Sequence, residues 1–252
     1  MKIIKNDLSE IPKAPCDVDN LDDLPYIPAK PLPVKSFAML ICGSPGSGKT
    51  NLLLSLLMTK GKKKYYRKFF DKIYLISGSL ATLPKKFLEN LPDEQIYDEY
   101  NDNILLEIID QLQKGPNYNS LLILDDVIRS ISRSRNLSKI FLNRRHITHN
   151  TDEEGCGGLS VMLTTQKFNL APLEFRNSMS DIILFKSGNA QEVNAIKSEL
   201  MTDLSTDLQN KLLKEAWKNK YSFLMIKPNA DINNKYYIRF DKVTFDDNDL
   251  EY

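Results

Sequence analysis

From residue 36 onward the chain alternates between short runs of consecutive apolar residues and stretches with helical spacing. Phe37-Ala-Met-Leu-Ile-Cys42 is the first such run, closed by a glycine-rich turn. A strand that is apolar at every position must be covered on both faces, as in a buried parallel sheet. Lys72-Ile-Tyr-Leu-Ile-Ser77, Leu121-Leu-Ile-Leu124, Leu159-Ser-Val-Met-Leu-Thr164 and Asp181-Ile-Ile-Leu-Phe-Lys186 repeat the pattern. Leu52, Leu53, Leu56 and Leu57 predict one apolar face of a helix from Thr50 to about Lys60. Further helices are predicted over residues 104–112, 191–201 and 206–218, and residues 221–226 and 236–240 read as a closing β-hairpin. Strands alternating with helices over residues 36–200 predict an α/β fold: a mostly parallel central sheet with helices on both faces.

The flanks differ. Residues 1–35 hold six of the twelve prolines and the acidic cluster Asp17, Asp19, Asp22 and Asp23. Proline at that density forbids regular helix and central strand, so an extended arm is expected, packed on the surface or on a neighbour. The domain is expected over residues 36–240, with an acidic tail at 241–252 whose last residues, from Asp246, form a mobile end. No internal repeat of 20–50 residues is found.

Composition then narrows the setting. No apolar run approaches the length of a membrane span, and the first residues lack the apolar core of a signal peptide. Cys16, Cys42 and Cys156 are odd in number and contain no CxxC, which speaks for a reducing compartment. A soluble intracellular protein is expected, with no membrane partner. The net charge of +1 makes no case for nucleic acid by itself.

Gly43-Ser44-Pro45-Gly46-Ser47-Gly48-Lys49-Thr50 fits G-x-x-x-x-G-K-[ST] at every fixed position. Glycines let the backbone coil until successive N–H groups face inward as an anion nest, at the positive end of the next helix. Lys49 is placed to reach the β- and γ-phosphates and the Thr50 hydroxyl to ligate Mg²⁺. Residues 43–50, with Asn51, form the expected ATP-binding set.

Such a metal needs an acidic partner. The strand Leu121–Leu124 runs directly into Asp125 and Asp126, at the sheet edge where ligands gather in open α/β folds. Asp125 is expected to hold Mg²⁺ through water, and Asp126 to polarise an attacking water. Gln166 follows the strand ending Leu163-Thr-Thr and is placed to touch the γ-phosphate or that water. A guanine-reading Asn-Lys-x-Asp is absent, since Asn234-Lys235 is followed by Tyr236-Tyr237. Paired acids suggest water as nucleophile, although a small-molecule kinase or a nucleotide-gated scaffold shares the phosphate loop.

The series Gly43–Thr50, Leu121–Asp126, Arg144-Arg145-His146 and Leu163–Gln166, followed by Phe175-Arg176 and residues 182–186, resembles the FtsK/HerA class of DNA-pumping ATPases. It is most similar to the branch that packages genomes into large double-stranded DNA viruses, including poxviruses, giant viruses and virophages. The resemblance covers about residues 36–190. It implies a RecA-like P-loop core of the ASCE type, a ring of subunits (usually six), and ATP hydrolysed between neighbours. It further implies non-sequence-specific double-stranded DNA and the capsid vertex or portal as partners, in the virion or a viral factory of the host cytoplasm. A cellular HerA-like pump or helicase is the alternative within the class. The class generally places Glu after the metal-binding Asp; Asp126 is one methylene shorter.

Relatives carry an Arg-Lys or Arg-His pair before the Gln strand. By position this makes Arg145 the first candidate for an arginine finger delivered to a neighbour's γ-phosphate, with Arg144 its competitor and Arg176 a second candidate. Of only eight arginines, five lie at 129, 133, 135, 144 and 145, and no acidic residue occurs between Val127 and Thr151. In a ring this stretch is placed to follow DNA phosphates without reading sequence. A second basic run, residues 60–68, interleaves Tyr65 and Tyr66 and reads as a solvated loop or a DNA or portal contact. His146 and His149 with Cys156 lack a fourth ligand for zinc.

Overall fold

The computed structural model describes residues 1–6, 28–34, 36–59, 65–115, 119–147 and 158–246. Its strands are β1 (Lys2–Ile4), β2 (Ala38–Cys42), β3 (Lys72–Ser77), β4 (Ile96–Tyr97), β5 (Ser120–Asp125), β6 (Leu159–Thr165), β7 (Asp181–Phe185), β8 (Phe223–Ile226), β9 (Tyr236–Ile238) and β10 (Asp241–Thr244). The helices are α1 (Lys49–Met58), α2 (Lys85–Leu88), α3 (Asp102–Lys114), α4 (Ile128–Ile131), α5 (Arg135–Asn143), α6 (Leu173–Ser178), α7 (Ala190–Leu200) and α8 (Thr206–Ala216). Among the described residues the strands form one ten-stranded sheet, in the order β1-β10-β9-β8-β7-β2-β6-β5-β3-β4. The six strands from β7 to β4 run parallel, and the other four join antiparallel.

The continuous apolar runs have the expected cause. Along β2, Ala38, Leu40 and Cys42 enter one core cluster while Met39 and Ile41 enter the other. In β5 the split is Leu122 and Leu124 against Leu121 and Ile123. Successive side chains point to opposite faces, and both faces are covered. α3, α5, α6, α7 and α8 contribute buried residues to the first cluster. The second holds α1, where burial extends beyond the expected stripe to Leu54 and Ser55. That helix is wrapped nearly all round because Leu32, Tyr65, Tyr66 and Phe70 close over the same face of the sheet.

Three segments outside the expected strands and helices join the sheet or the core. Lys2–Ile4, inside the expected surface arm, pairs with β10 as the sheet's outer strand. Residues 241–245, inside the expected tail, are that partner: Asp241, Val243 and Phe245 are buried, and Asp241 accepts from the backbone N–H of Asn6 at 2.5 Å. Strands of three or four residues carry too few positions for alternation to show. Tyr65 and Tyr66, read with a basic surface loop, are core residues, and Tyr66 stacks on Phe37 at 5.3 Å between centroids. Residues 60–64, the acidic cluster at 17–23, His149, Cys156 and residues 247–252 lie outside the described residues.

The arginine-rich segment also divides. Arg129, Arg133, Arg135, Lys139 and Arg145 are exposed, but Arg144 is buried. Its Nε donates to Ser36 O at 2.6 Å and its Nη1 to Phe141 O. Burial pulls its pKa below the ordinary guanidinium value, with Arg145 adding to the effect and Asp181 opposing it. Arg144 therefore ties the end of α5 to the entrance of β2. Arg144→Ala strands two carbonyls and is expected to lower folding stability by about 1–3 kcal/mol, read as a shift in the urea midpoint.

Candidate functional site

The strand order brings together segments far apart in sequence. β6 lies between β2 and β5, so the carboxyl ends of the phosphate-loop strand, the glutamine strand and the acidic strand stand side by side. The loop leaving β2 starts against β6, where Gly43 N–H donates to Thr165 O at 3.1 Å. A Cβ on Gly43 would lie 2.6 Å from Ser47 Oγ and 2.7 Å from Phe185 Cβ, so only glycine fits.

α3, α5, α7 and α8 begin on side-chain caps: Asn101, Ser134, Asn189 and Ser205. α1 does not. Its N-cap is Gly48, at φ 104°, with no side-chain hydrogen bond. The first-turn N–H groups are thereby left to an anion, at the positive end of the helix. The Ser47 hydroxyl inside the loop is buried and has no partner among the described residues. An orphaned buried donor in a glycine-built cradle fits a phosphate oxygen. Lys49 meanwhile folds back, its Nζ donating to Gly43 O at 2.5 Å and Ser44 O at 3.2 Å. Burial lowers its pKa, while the nearby thiol of Cys42 and the carboxylates of Asp126 and Asp125 work the other way.

Asp125 is 5% exposed and hydrogen-bonded from both sides. Ser77 Oγ on β3 donates to Oδ2 at 3.1 Å, and Thr164 Oγ1 on β6 donates to Oδ1 at 2.7 Å. The same Thr164 oxygen accepts the backbone N–H of Asp126 at 3.1 Å. Asp126 leaves the strand in the left-handed region, φ 54°, which Asp tolerates better than most residues. Its carboxylate is exposed, and Oδ1 accepts from Gln166 Nε2 at 3.1 Å. The acid expected to activate water and the amide expected to sense phosphate are thus in contact. Thr50 and Asp125 offer hydroxyl and carboxylate oxygens, the donors Mg²⁺ prefers, in a site that phosphate and water would complete. Among the described residues there is no cluster of three or more His, Cys, Asp or Glu.

The arginines expected to serve a neighbouring site differ in their partners. Arg145 is exposed in the turn Arg144–His146, with no carboxylate paired to it among the described residues. Arg176 is engaged: Nε and Nη2 each donate to Glu199 at 2.8 Å, Nη1 donates to Ala171 O at 2.5 Å, and the guanidinium lies 4.9 Å from the Phe168 ring centroid.

Sequence reasoning assigned no role to Ser77, Thr164 or Glu192. Glu192, buried below the loop, accepts from Phe168 N–H and Ser187 Oγ at 2.5 Å each and from Cys42 Sγ at 3.6 Å. It joins the segment after Gln166 to the base of the phosphate loop, and burial with that carboxylate pushes the Cys42 thiol well up. Ser77 and Asp125 are register partners. Polar residues ending otherwise apolar strands were the available signal, but their alignment depends on strand order.

The family model for the poxvirus A32 protein matches residues 28–251. Among curated proteins none matches the chain. Solved structures with the same fold include B204, the DNA-packaging ATPase of Sulfolobus turreted icosahedral virus. It is 18% identical at a TM-score of 0.57, covering 81% of this chain and 97% of that one. The genome packaging NTPase B204 of Sulfolobus turreted icosahedral virus 2, in complex with ATPγS, is 17% identical at 0.54, covering 81% and 96%. The conjugation coupling protein TcpA of pCW3, with ATPγS, is 12% identical at 0.51, covering 98% and 77%. Likeness at this identity establishes the P-loop NTPase fold. The poxvirus kinship implied by the order of motifs is the one the family match finds, over most of the chain. The chain belongs to the family of the poxvirus A32 protein.

Proposed function

We propose that this protein is an ATP-driven double-stranded DNA translocase that packages a viral genome into its capsid. One observation carries the reading: Lys49, the Asp125–Asp126 pair and Gln166 converge at three adjacent strand ends, in a chain of the A32 family. The named packaging functions of B204, whose structures share the fold, support it.

In this mechanism Lys49 exchanges the carbonyls of Gly43 and Ser44 for β- and γ-phosphate oxygens, and the uncapped first turn of α1 holds the rest of the triphosphate. Thr50, and Asp125 through water, would hold Mg²⁺, which would supply charge neutralisation at the phosphate oxygens. Asp126 accepts a proton from water as its oxygen attacks the γ-phosphorus and ADP departs. Gln166, bonded to Asp126, turns to the γ-phosphate or the attacking water when ATP binds. Thr164 holds the Asp125 carboxylate and the Asp126 N–H with one oxygen, so the two acids keep a fixed relation.

Charge on the transferring group needs a cation from the next subunit of a ring, six in the family pattern. Arg145 is assigned that role, because Arg144 and Arg176 are committed within their own subunit. The exposed Arg129, Arg133, Arg135 and Lys139 line the DNA path and grip phosphates. Capsid vertex or portal proteins are the docking partners, in the virion or the viral factory. Among the described residues no helix is long and apolar enough to cross a membrane.

Turnover is expected to rise severalfold or more on adding double-stranded DNA at low salt, and to lose that stimulation as salt increases. Turnover indifferent to DNA would point to a kinase or scaffold instead. Asp126→Asn should keep ATP affinity while hydrolysis falls about 10²- to 10⁴-fold, measured by paired binding and phosphate-release assays. Mixing Arg145→Ala subunits into wild-type protein should depress activity more steeply than the mutant fraction. A strictly proportional fall would remove Arg145 from the interface.

A further inference from the structure

The phosphate loop accounts for one end of a nucleotide and leaves the other unassigned. Beside the loop lies a cleft of about 480 Å³, within the size range of small-molecule sites. One wall is residues 44–47 of the loop itself. The opposite wall is the connection between α8 and β8, residues 217–222. A triphosphate seated in the loop would therefore direct its nucleoside towards this cleft.

That connection contains an unusual tyrosine. Ser222 N–H donates to Asn219 O at 3.1 Å, closing a turn in which Tyr221 is the third residue. Its φ is 63°, the left-handed region that glycine enters freely and a side chain enters against its own Cβ. Burial does not explain the aromatic, since Tyr221 is 56% exposed. Its ring instead leans on the phosphate loop, where a Cβ on Gly48 would lie 3.3 Å from Tyr221 Cδ1. Lys220 Nζ lies 4.9 Å from the ring centroid. Trp217, also on the wall, is fixed by its Nε1 donating to Leu184 O at 3.0 Å. Strained backbone of this kind collects at ligand clamps.

We propose that this cleft is the nucleobase subsite and that Tyr221 is the face on which the base of ATP stacks. Because every base has a π face, such a platform favours a nucleoside without strongly selecting one base. The proposal rests on Gly43–Thr50 holding the triphosphate, and it extends the nucleotide site from that loop to the C-terminal part of the sheet.

The test measures ATP and inorganic tripolyphosphate binding to the full-length chain by calorimetry, in wild type, Tyr221→Gly and Tyr221→Phe. Tyr221→Gly is expected to melt at the same or a higher temperature, since glycine suits the turn. It should bind ATP about tenfold more weakly, with tripolyphosphate affinity unchanged, while Tyr221→Phe keeps wild-type ATP affinity. ATP binding at wild-type strength in Tyr221→Gly overturns the proposal. Parallel loss of ATP and tripolyphosphate would make Tyr221 a support for Gly48 and also overturns it. Failure of wild type to bind tripolyphosphate counts against the phosphate loop itself and removes the proposal with it.

Discussion

A carboxylate almost out of solvent must have its oxygens hydrogen-bonded, and the layout of the site follows from how Asp125 meets that demand. Ser77 and Thr164 supply the hydroxyls from the strands on either side of β5. Both can do so only if β3, β5 and β6 are neighbours in parallel register, with Ser77 opposite Asp125. Thr164 then passes the constraint on by accepting the Asp126 N–H, which sets where the exposed carboxylate can meet Gln166. A buried ion left without such partners costs several kcal/mol. The polar ends of three apolar strands are therefore one coupled feature.

The phosphate loop is organised by what it leaves unsatisfied. The longer helices α3, α5, α7 and α8 close their first turn with an Asn or Ser side chain, whereas the N-cap of α1 is Gly48, with no side chain to bond. Among the described residues the buried Ser47 hydroxyl has no partner, and Lys49 occupies carbonyls of its own loop. All three features suit a triphosphate in the loop. Electrostatic preorganisation of this kind concentrates binding energy where charge will lie.

Net charge is a poor guide to this protein. The chain totals +1, yet its arginine-rich segment presents five exposed cations and turns a sixth inward. Arg144 shows that a run of like residues need not act alike: one guanidinium secures the end of α5 while its sequence neighbour faces solvent. Arg176 makes the same point through Glu199, 23 residues away on α7. Charge patterning located the segment, but only the fold separated its structural member from the exposed ones.

The apolar runs determined much by themselves. A strand apolar at every position has to lie between two layers, so the parallel core and its helices were legible, as were the phosphate loop and the paired acids. Those signals are local: a glycine turn and a lysine do their work within eight consecutive residues. The three- and four-residue strands β1 and β10, the burial of Tyr65 and Tyr66, and the Ser77–Asp125–Thr164 clamp were not legible. Each depends on which segments become neighbours, and that is decided by the packing of the whole sheet. The sequence by itself determined a glycine-built loop before a helix and two carboxylates at the end of an apolar strand. Only the tertiary structure decided that β6 would stand between them, because strand order minimises exposed apolar face and unpaired polar edge over the entire domain.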